Sequence, residues 1–238
     1  SVTDNDNPSA ADPVGAESRP AARHKRTIIV TILLLAVLAL AGWFRFNGVR
    51  WDSDSHLHPD ERFLTDLASN LHSVESPLDY FRTSVSTLNP YNVGRTFYVY
   101  GNFPMTATRY AAEWATDLCV AATARNGTPP RWCPYTFTAY DGIHVMGRFL
   151  AALADMVTVL FTFLIGRRLY GKGAGLIAAF LMGVAVMPIQ QSHFFTMDAW
   201  AVMFTTLAIH AAVRAATLGD PVPRFRWRWW AVFGLFLG

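Results

Sequence analysis

The sequence predicts an all-α fold, a polytopic bundle of transmembrane helices with one long extracytoplasmic loop that carries short surface helices. Of the 238 residues, 52% are hydrophobic and only 16% are charged, whereas soluble domains usually carry about 25% charged residues. Long apolar runs also alternate with short basic segments. The net charge of +3 is placed beside these runs and not along one polar face, so we expect no nucleic-acid binding.

The first span is predicted at residues 27–47. Its apolar run, residues 27–44, would reach about 27 Å as a helix, close to the hydrocarbon thickness of about 30 Å. Trp43 stands where an interfacial aromatic belt would lie. The basic cluster at residues 23–26 predicts an N-terminus in the cytoplasm, and residues 1–26 are too poor in large apolar side chains to fold, so a disordered cytoplasmic tail is expected.

A secretory signal peptide is the competing interpretation of this first run. Residues 39–41, Ala-Leu-Ala, resemble a cleavage site. The run is longer than a usual signal-peptide core, however, and further spans follow it. Both features favour an uncleaved anchor and an integral protein of the cytoplasmic or plasma membrane.

Residues 48–144 are polar, aromatic and irregular, and are predicted to form the extracytoplasmic loop. Short helices are expected near residues 59–71 and 104–122, the second lying along the membrane surface because it is amphipathic. Cys119 and Cys133 both fall in this loop. A disulfide and a pair of free thiols are both compatible with that placement.

Three further spans and the start of a fourth follow the loop. The short basic segments between them all fall on one side, which agrees with a cytoplasmic N-terminus. The last run is too short to cross a bilayer, so we expect either a longer natural polypeptide or a partner that completes the fold. The predicted spans are residues 145–166, 173–190 and 198–214, with a last one beginning at 229–238.

The beginning of the loop, residues 51–63, is dense in carboxylates and imidazoles. Asp60 and Glu61 offer one carboxylate to take a proton and another to orient a hydroxyl or bind a cation. The alternative is an acidic helix start favoured by the helix dipole. A metal site that uses His56, His58 and a carboxylate is also open, whereas the D-x-D pattern just upstream is too short to be evidence of a sugar-nucleotide site.

Three charged residues stand in or beside predicted spans. Asp198, at the outer start of a span, is a functional candidate because an acid there costs free energy unless it faces a wet or protein-lined cavity; the alternative is a helix-start acid. Arg148 would either snorkel to the interface or bind a lipid phosphate with its forked donors. Asp155 lies about two turns deeper and is expected to pair with a neighbouring span.

Five motifs, taken in order, resemble the membrane-embedded C-type glycosyltransferases that use polyprenyl-phosphate sugars. The closest similarity is to the protein O-mannosyltransferase and aminoarabinose-transferase-like group. Each motif is loose alone, but their order and spacing are specific. They are HPDERF after the first span, YVYGNFP in the loop, GRFLAAL entering the second span, GRRLYGKGAGLIAAFL across the next turn and QSHFFTMDAWAVMF at the fourth span.

The resemblance implies roles for individual residues. Asp60, with Glu61 beside it, takes the place of the proposed catalytic base, and Asp198 corresponds to the second-loop acid that completes the catalytic set. Arg148 corresponds to the arginine that stabilises the departing lipid phosphate. The histidines within the motifs, His58 and His193, join Arg148 as substrate-binding candidates.

The implied reaction is inverting transfer of a sugar from a polyprenyl-phosphate donor to an acceptor hydroxyl on the extracytoplasmic side. No resident metal or cofactor is expected, although a divalent cation remains open. Family members are much longer than this chain, so the alternative is a non-catalytic, glycosyltransferase-derived subunit of a larger membrane complex. Expected partners are the lipid-linked donor, the bilayer and other membrane subunits.

Overall fold

All regular structure in the described part of the chain is helical. The computed structural model describes residues 20–133, 136–218 and 226–238, so most of the expected tail at residues 1–26 lies outside the described residues. The α-helices are α1 (Pro20–Phe46), α2 (Pro59–Asn70), α3 (Pro77–Phe81), α4 (Asn102–Asn126), α5 (Tyr140–Tyr170), α6 (Lys172–Val184), α7 (Val186–Gln191), α8 (Asp198–Ala216) and α9 (Arg226–Leu237). A short 3-10 helix, Pro90–Val93, lies between α3 and α4.

Three of these helices are long and apolar enough to cross a membrane. They comprise His24–Phe46 in α1, all of α5 and all of α8. This confirms the predicted class of an all-α membrane protein.

The apolar segment predicted as one span at residues 173–190 is two helices in the structure. The helix α6 ends at Val184, Ala185 is extended, and α7 begins at Val186. Pro188 explains the interruption, because a proline ring collides with the carbonyl group four residues earlier and has no N–H to donate. The proline is tolerated in the first turn of α7, where its N–H would be unpaired anyway.

The central helix α5 packs against α1, α2, α4, α6 and α8. It approaches α6 closely, directly after the turn at Gly171. A Cβ on Gly175 would lie 2.7 Å from the carbonyl oxygen of Phe163 and 2.8 Å from the backbone nitrogen of Arg167. Small residues that allow backbones to approach in this way are typical of helix pairs in membranes.

A buried ion pair joins α1, α5 and the end of α6. The Nε of Arg45 donates to Oδ2 of Asp155 at 2.6 Å, and both side chains are at most 4% exposed. The same guanidinium donates to the carbonyl oxygens of Gly183 at 2.8 Å and Met182 at 3.2 Å, which the end of α6 leaves without helical partners. The expected pairing of Asp155 with a neighbouring span is therefore observed.

The region between α1 and α5 contains α2, α3 and α4, close to the two helices expected there. A disulfide joins Cys119 on α4 to Cys133, which decides between the two alternatives. One face of α4, including Met105 and Ala112, is buried. The opposite face exposes the large apolar side chains Phe103 and Trp114, and its placement along a membrane surface stays a prediction.

The contact between α5 and α6 can be tested with two glycines of the same helix. We expect Gly175→Ala to lower the free energy of unfolding by about 1–3 kcal/mol, because the added methyl group must displace backbone atoms. Gly173→Ala is the control, since a Cβ there meets nothing within 4 Å. Thermal unfolding in detergent measures both, and an equal response of the two variants would contradict this account.

Candidate functional site

The candidate site is built around Arg148, whose side chain is completely buried near the start of α5. Its guanidinium forms two forked ion pairs. Nε and Nη2 donate to the two carboxylate oxygens of Glu61 at 2.7 and 2.6 Å. Nη1 and Nη2 donate to the two carboxylate oxygens of Asp52 at 2.9 and 2.8 Å.

A fifth hydrogen bond completes the set. Nη1 of Arg148 also donates to the carbonyl oxygen of Val49 at 2.9 Å, so each of the five N–H donors of a guanidinium group has an acceptor within the protein. Oε1 of Glu61 in turn accepts from the backbone N–H of Phe195 at 2.7 Å. We call Arg148, Asp52, Glu61 and the Phe195 N–H the arginine node.

The arginine node changes the interpretation of two sequence candidates. Neither Arg148 nor Glu61 is exposed, and both are engaged by protein groups. Direct contact of Arg148 with a donor phosphate stays a prediction, while the observed hydrogen bonds favour a positioning role for this residue. The hydrogen bonds and the charge of Arg148 lower the pKa of Asp52, against the opposing effect of burial, from 3.8 to about 2.

Gly147 lets Phe195 reach the arginine node. A Cβ on Gly147 would lie 2.2 Å from the ring of Phe195, whose side chain is fully buried. The absence of a side chain at Gly147 therefore creates the space that the ring occupies. Gly147 and Arg148, which are adjacent in the GRFLAAL motif, therefore both help to position Phe195. Gly147 leaves room for its ring, and Arg148 binds Glu61, which accepts a hydrogen bond from the Phe195 N–H.

Alternate residues of the connection between α1 and α2 contact successive turns of α5. Asp52 binds Arg148, Oδ1 of Asp54 lies 3.2 Å from Nε2 of His144, and Nε2 of His56 lies 3.4 Å from Oδ1 of Asp141. The contacted positions on α5 are separated by four and three residues, which places them on one face of the helix. We call this series of contacts the polar ladder.

The backbone of the polar ladder is strained. Ser53, Asp54 and His56 have φ values of 51°, 66° and 47°, in the left-handed region that non-glycine residues rarely occupy. Each such residue costs of order 1–3 kcal/mol and persists only where its surroundings enforce it. Here the contacts of Asp52, Asp54 and His56 with α5 hold the segment in this conformation, and the chain then enters α2.

The segment between α7 and α8 is attached to the same end of the bundle. Nδ1 of His193 lies 2.8 Å from the carbonyl oxygen of Ile189, and its Nε2 lies 3.0 Å from that of Asn47 at the end of α1. The ring of Phe194 lies between Trp51 and His58, with centroid distances of 5.7 and 4.7 Å. His58 and His193 are thus packed against protein groups, and their role in substrate binding stays a prediction.

Two of the candidate carboxylates remain exposed. Asp60 lies in the first turn of α2, directly before the buried Glu61. Asp198 is the first residue of α8, three residues after Phe195. Because Glu61 binds the backbone of Phe195, both exposed carboxylates lie at the same end of the bundle.

A small cavity lies beside Asp198. It measures about 110 Å³ and is lined by Asp155, Asp198 and Gln191 together with apolar side chains. Sites for organic ligands usually measure about 300–1,000 Å³, so this cavity alone is too small for a lipid-linked sugar.

No group of three or more His, Cys, Asp or Glu side chains within the described ranges is arranged to hold a metal ion. The ring of His56 packs against Tyr140 and His144 at 4.5 and 4.3 Å, whereas His58 packs against Phe194. These two histidines therefore do not form the metal site considered from the sequence.

Sequence reasoning missed the roles of Asp52 and Arg45. Asp52 is the first acid of the D-x-D pattern, and the structure makes it a ligand of Arg148. Arg45 stands at the end of the first apolar run, where an arginine is usually interpreted as an interfacial residue. A signal was present in both cases, because each buried charge on α5 requires a partner of opposite sign.

Comparison with known proteins finds a family similarity in the second part of the chain. Residues 141–238 match the model of the dolichyl-phosphate-mannose-protein mannosyltransferase family. The family resemblance is confirmed. No curated protein and no solved structure matches the chain.

The mannosyltransferase match includes Arg148, Asp155, His193 and Asp198 and begins after Asp60. Together with three helices able to cross a membrane, the match supports an integral membrane protein that is similar to membrane glycosyltransferases over residues 141–238.

We expect Arg148→Gln to lower the free energy of unfolding by about 3–5 kcal/mol, since it leaves two buried carboxylates without their cation. Arg82→Gln is the matched control. Arg82 pairs with Asp79 at the surface, where its side chain is 67% exposed, and such a pair contributes at most about 1 kcal/mol. Thermal unfolding of both variants in detergent checks this, and a mild effect at Arg148 would refute the structural importance of the arginine node.

The ionisation of Asp52 should make stability depend on pH. Its folded-state pKa of about 2 lies below the ordinary 3.8, so the ionised carboxylate stabilises the fold at higher pH, and this contribution is lost as the pH falls from 3.8 towards 2. We expect the wild-type midpoint of thermal unfolding to fall more than that of Asp52→Asn between neutral pH and about pH 3. Parallel curves for the two proteins would contradict the assignment.

Proposed function

We propose that the chain transfers a sugar from a polyprenyl-phosphate donor to an acceptor hydroxyl on the extracytoplasmic side, with Asp60 as the base. The observation that carries this proposal is the contrast between two adjacent carboxylates. Asp60 is exposed, whereas Glu61 is completely buried in the arginine node. The family match supports the class of donor.

The distribution of charge supports the extracytoplasmic side. Nζ of Lys172, at the start of α6, donates to Oγ1 of Thr27 in α1 at 2.9 Å, so these two helix starts meet at one end of the bundle. Arg168 and Arg214 lie at that end as well, near the ends of α5 and α8. Basic residues favour the cytoplasmic side, which leaves Asp60 on the other side.

The disulfide between Cys119 and Cys133 supports the same orientation, because disulfides persist in oxidising compartments. It lies in the region between α1 and α5, which also carries Asp60. The N-terminus would then lie in the cytoplasm, as the basic cluster before the first span suggests.

The arginine node gives Asp60 a fixed position. Glu61 accepts hydrogen bonds from Arg148 on α5 and from Phe195 before α8, so both of its carboxylate oxygens have partners within the protein. The first turn of α2 is thereby attached to both helices, and Asp60, one residue earlier, extends from a rigid element. A catalytic group held in this way needs little reorganisation when the substrate binds.

The proposed reaction is a single displacement at the anomeric carbon. The acceptor oxygen forms a bond to that carbon while the bond from the carbon to the phosphate oxygen breaks. The proton of the acceptor hydroxyl moves to Asp60, and the electron pair of the broken bond stays on the departing polyprenyl phosphate. Inversion follows because the acceptor attacks from the side opposite to the leaving group.

Asp198 supplies the second exposed carboxylate of the site. We assign it to orienting the hydroxyl groups of the donor sugar, or to holding a divalent cation against the phosphate if the reaction uses one. Its position at the helix N-terminus stabilises its negative charge.

Asp60→Asn should reduce sugar transfer by about 10²–10⁴-fold, the usual effect of losing a general base, while thermal stability is unchanged. Transfer is measured as incorporation of label from radiolabelled dolichyl-phosphate mannose in membrane vesicles that contain the protein. Asp66→Asn serves as control, since Asp66 is a further acid of α2 and pairs with Arg95 at the surface. Full transfer by the Asp60 variant would exclude this residue as the base.

A further inference from the structure

A basic pocket lies at the end of the bundle opposite to Asp60. It has a volume of about 400 Å³ and is formed between α5, α8 and α9. Its lining residues are Leu164, Arg167, Arg168, His210, Arg214 and Trp229.

The pocket is far from the proposed catalytic site. Arg148 and Arg168 lie on the same continuous helix, α5, and their separation of twenty residues corresponds to about 30 Å at 1.5 Å per residue. That distance equals the thickness of the hydrocarbon core. Whatever binds in the pocket is therefore not the donor at the Asp60 end.

The lining of the pocket combines several cationic side chains with buried, unsatisfied nitrogen atoms. Four of the six residues that line it are Arg or His, and none is acidic. Nε of Arg214 and Nδ1 of His210 are buried without a hydrogen-bond partner in the described structure. A buried donor such as Nε of Arg214 costs about 1–3 kcal/mol when it has no partner, and an acceptor supplied by a ligand would remove that cost.

Contacts within the protein hold the side chains of two arginines that line the pocket, Arg168 and Arg214. The guanidinium carbon of Arg214 lies 4.8 Å from the centroid of the Trp229 ring, which holds the cation against an aromatic face. Nε of Arg168 donates to Oγ1 of Thr217 at 2.7 Å, and Nη2 donates to the Thr217 carbonyl oxygen. Both guanidinium groups thus have protein contacts that hold them beside the pocket.

We propose that this pocket binds a phosphate-bearing anion. Guanidinium groups match phosphate oxygens with forked hydrogen bonds. The volume of about 400 Å³ exceeds what one phosphate group needs and suits a phosphate diester with its attached glycerol. Basic pockets between membrane helices on the cytoplasmic side also bind acidic lipid head groups, which is the side that the proposed orientation gives to this end.

The test uses the full chain purified in a neutral detergent and three probes: phosphatidylglycerol, phosphatidylcholine and inorganic phosphate. Native mass spectrometry counts bound lipid, and the midpoint of thermal unfolding reports on all three probes. We expect phosphatidylglycerol to bind and to raise the unfolding midpoint more than phosphatidylcholine. Stabilisation by inorganic phosphate as well would indicate a site for soluble phosphates, and its absence would indicate a lipid head group.

Arg214→Gln should weaken phosphatidylglycerol binding by about fivefold or more. The control is Arg228→Gln, which removes the same charge from α9, where Arg228 is exposed and does not line the pocket. Equal weakening by the two variants would reduce the effect to general surface charge and overturn the proposal. Failure of both phosphatidylglycerol and inorganic phosphate to bind the wild-type protein would overturn it too.

Arg168→Gln provides a second variant in case Arg214→Gln does not fold. It should also weaken phosphatidylglycerol binding more than Arg228→Gln does, and unchanged binding would contradict the proposal. None of these outcomes depends on sugar transfer, so the pocket and the catalytic proposal can fail separately.

Discussion

The buried guanidinium of Arg148 is the constraint on which the arrangement of the Asp60 end of the bundle depends. A charge without water requires nearly complete pairing, and this one is paired by Asp52, Glu61 and a backbone carbonyl. Those partners come from the connection after α1 and from α2, and Glu61 extends the contact to Phe195 before α8. Four separate parts of the chain must therefore meet before the charge is satisfied. This requirement specifies the geometry more strictly than apolar packing between helices, which tolerates sliding.

A second buried ion pair fixes the positions of helices deeper in the bundle. Arg45 and Asp155 join α1 to α5, and Arg45 also satisfies carbonyl groups where α6 is interrupted before Pro188. Charges within membrane helices are expensive unless they find partners inside the protein. The Arg45–Asp155 pair thus connects α1 to the central helix, and the arginine node connects the segment after α1 to the same helix. The glycine contact between α5 and α6 determines how closely the next helix follows.

The acidic segment after α1 contains two kinds of residue, those that contact the rest of the protein and one that is exposed. Asp52, Asp54 and His56 contact α5 and hold a strained backbone, and Glu61 is buried. Asp60 alone of the Asp-Glu pair is exposed. A dense group of acids that looks like one site in the sequence is therefore divided in the structure: most of its members contact the protein, and Asp60, the proposed base, is exposed.

The sequence by itself determined the helical membrane class, the approximate positions of the apolar helices, the family resemblance and the candidate acids. Hydropathy, basic flanks and the order of motifs are all properties of the linear sequence. It also indicated that Asp155 would need a partner. Only the tertiary structure decided that the partner is Arg45, that Cys119 joins Cys133, and that Arg148 is shared between Asp52 and Glu61. These pairings link residues up to 110 positions apart, and spacing along the chain carries no information about which distant charges meet when they are buried together.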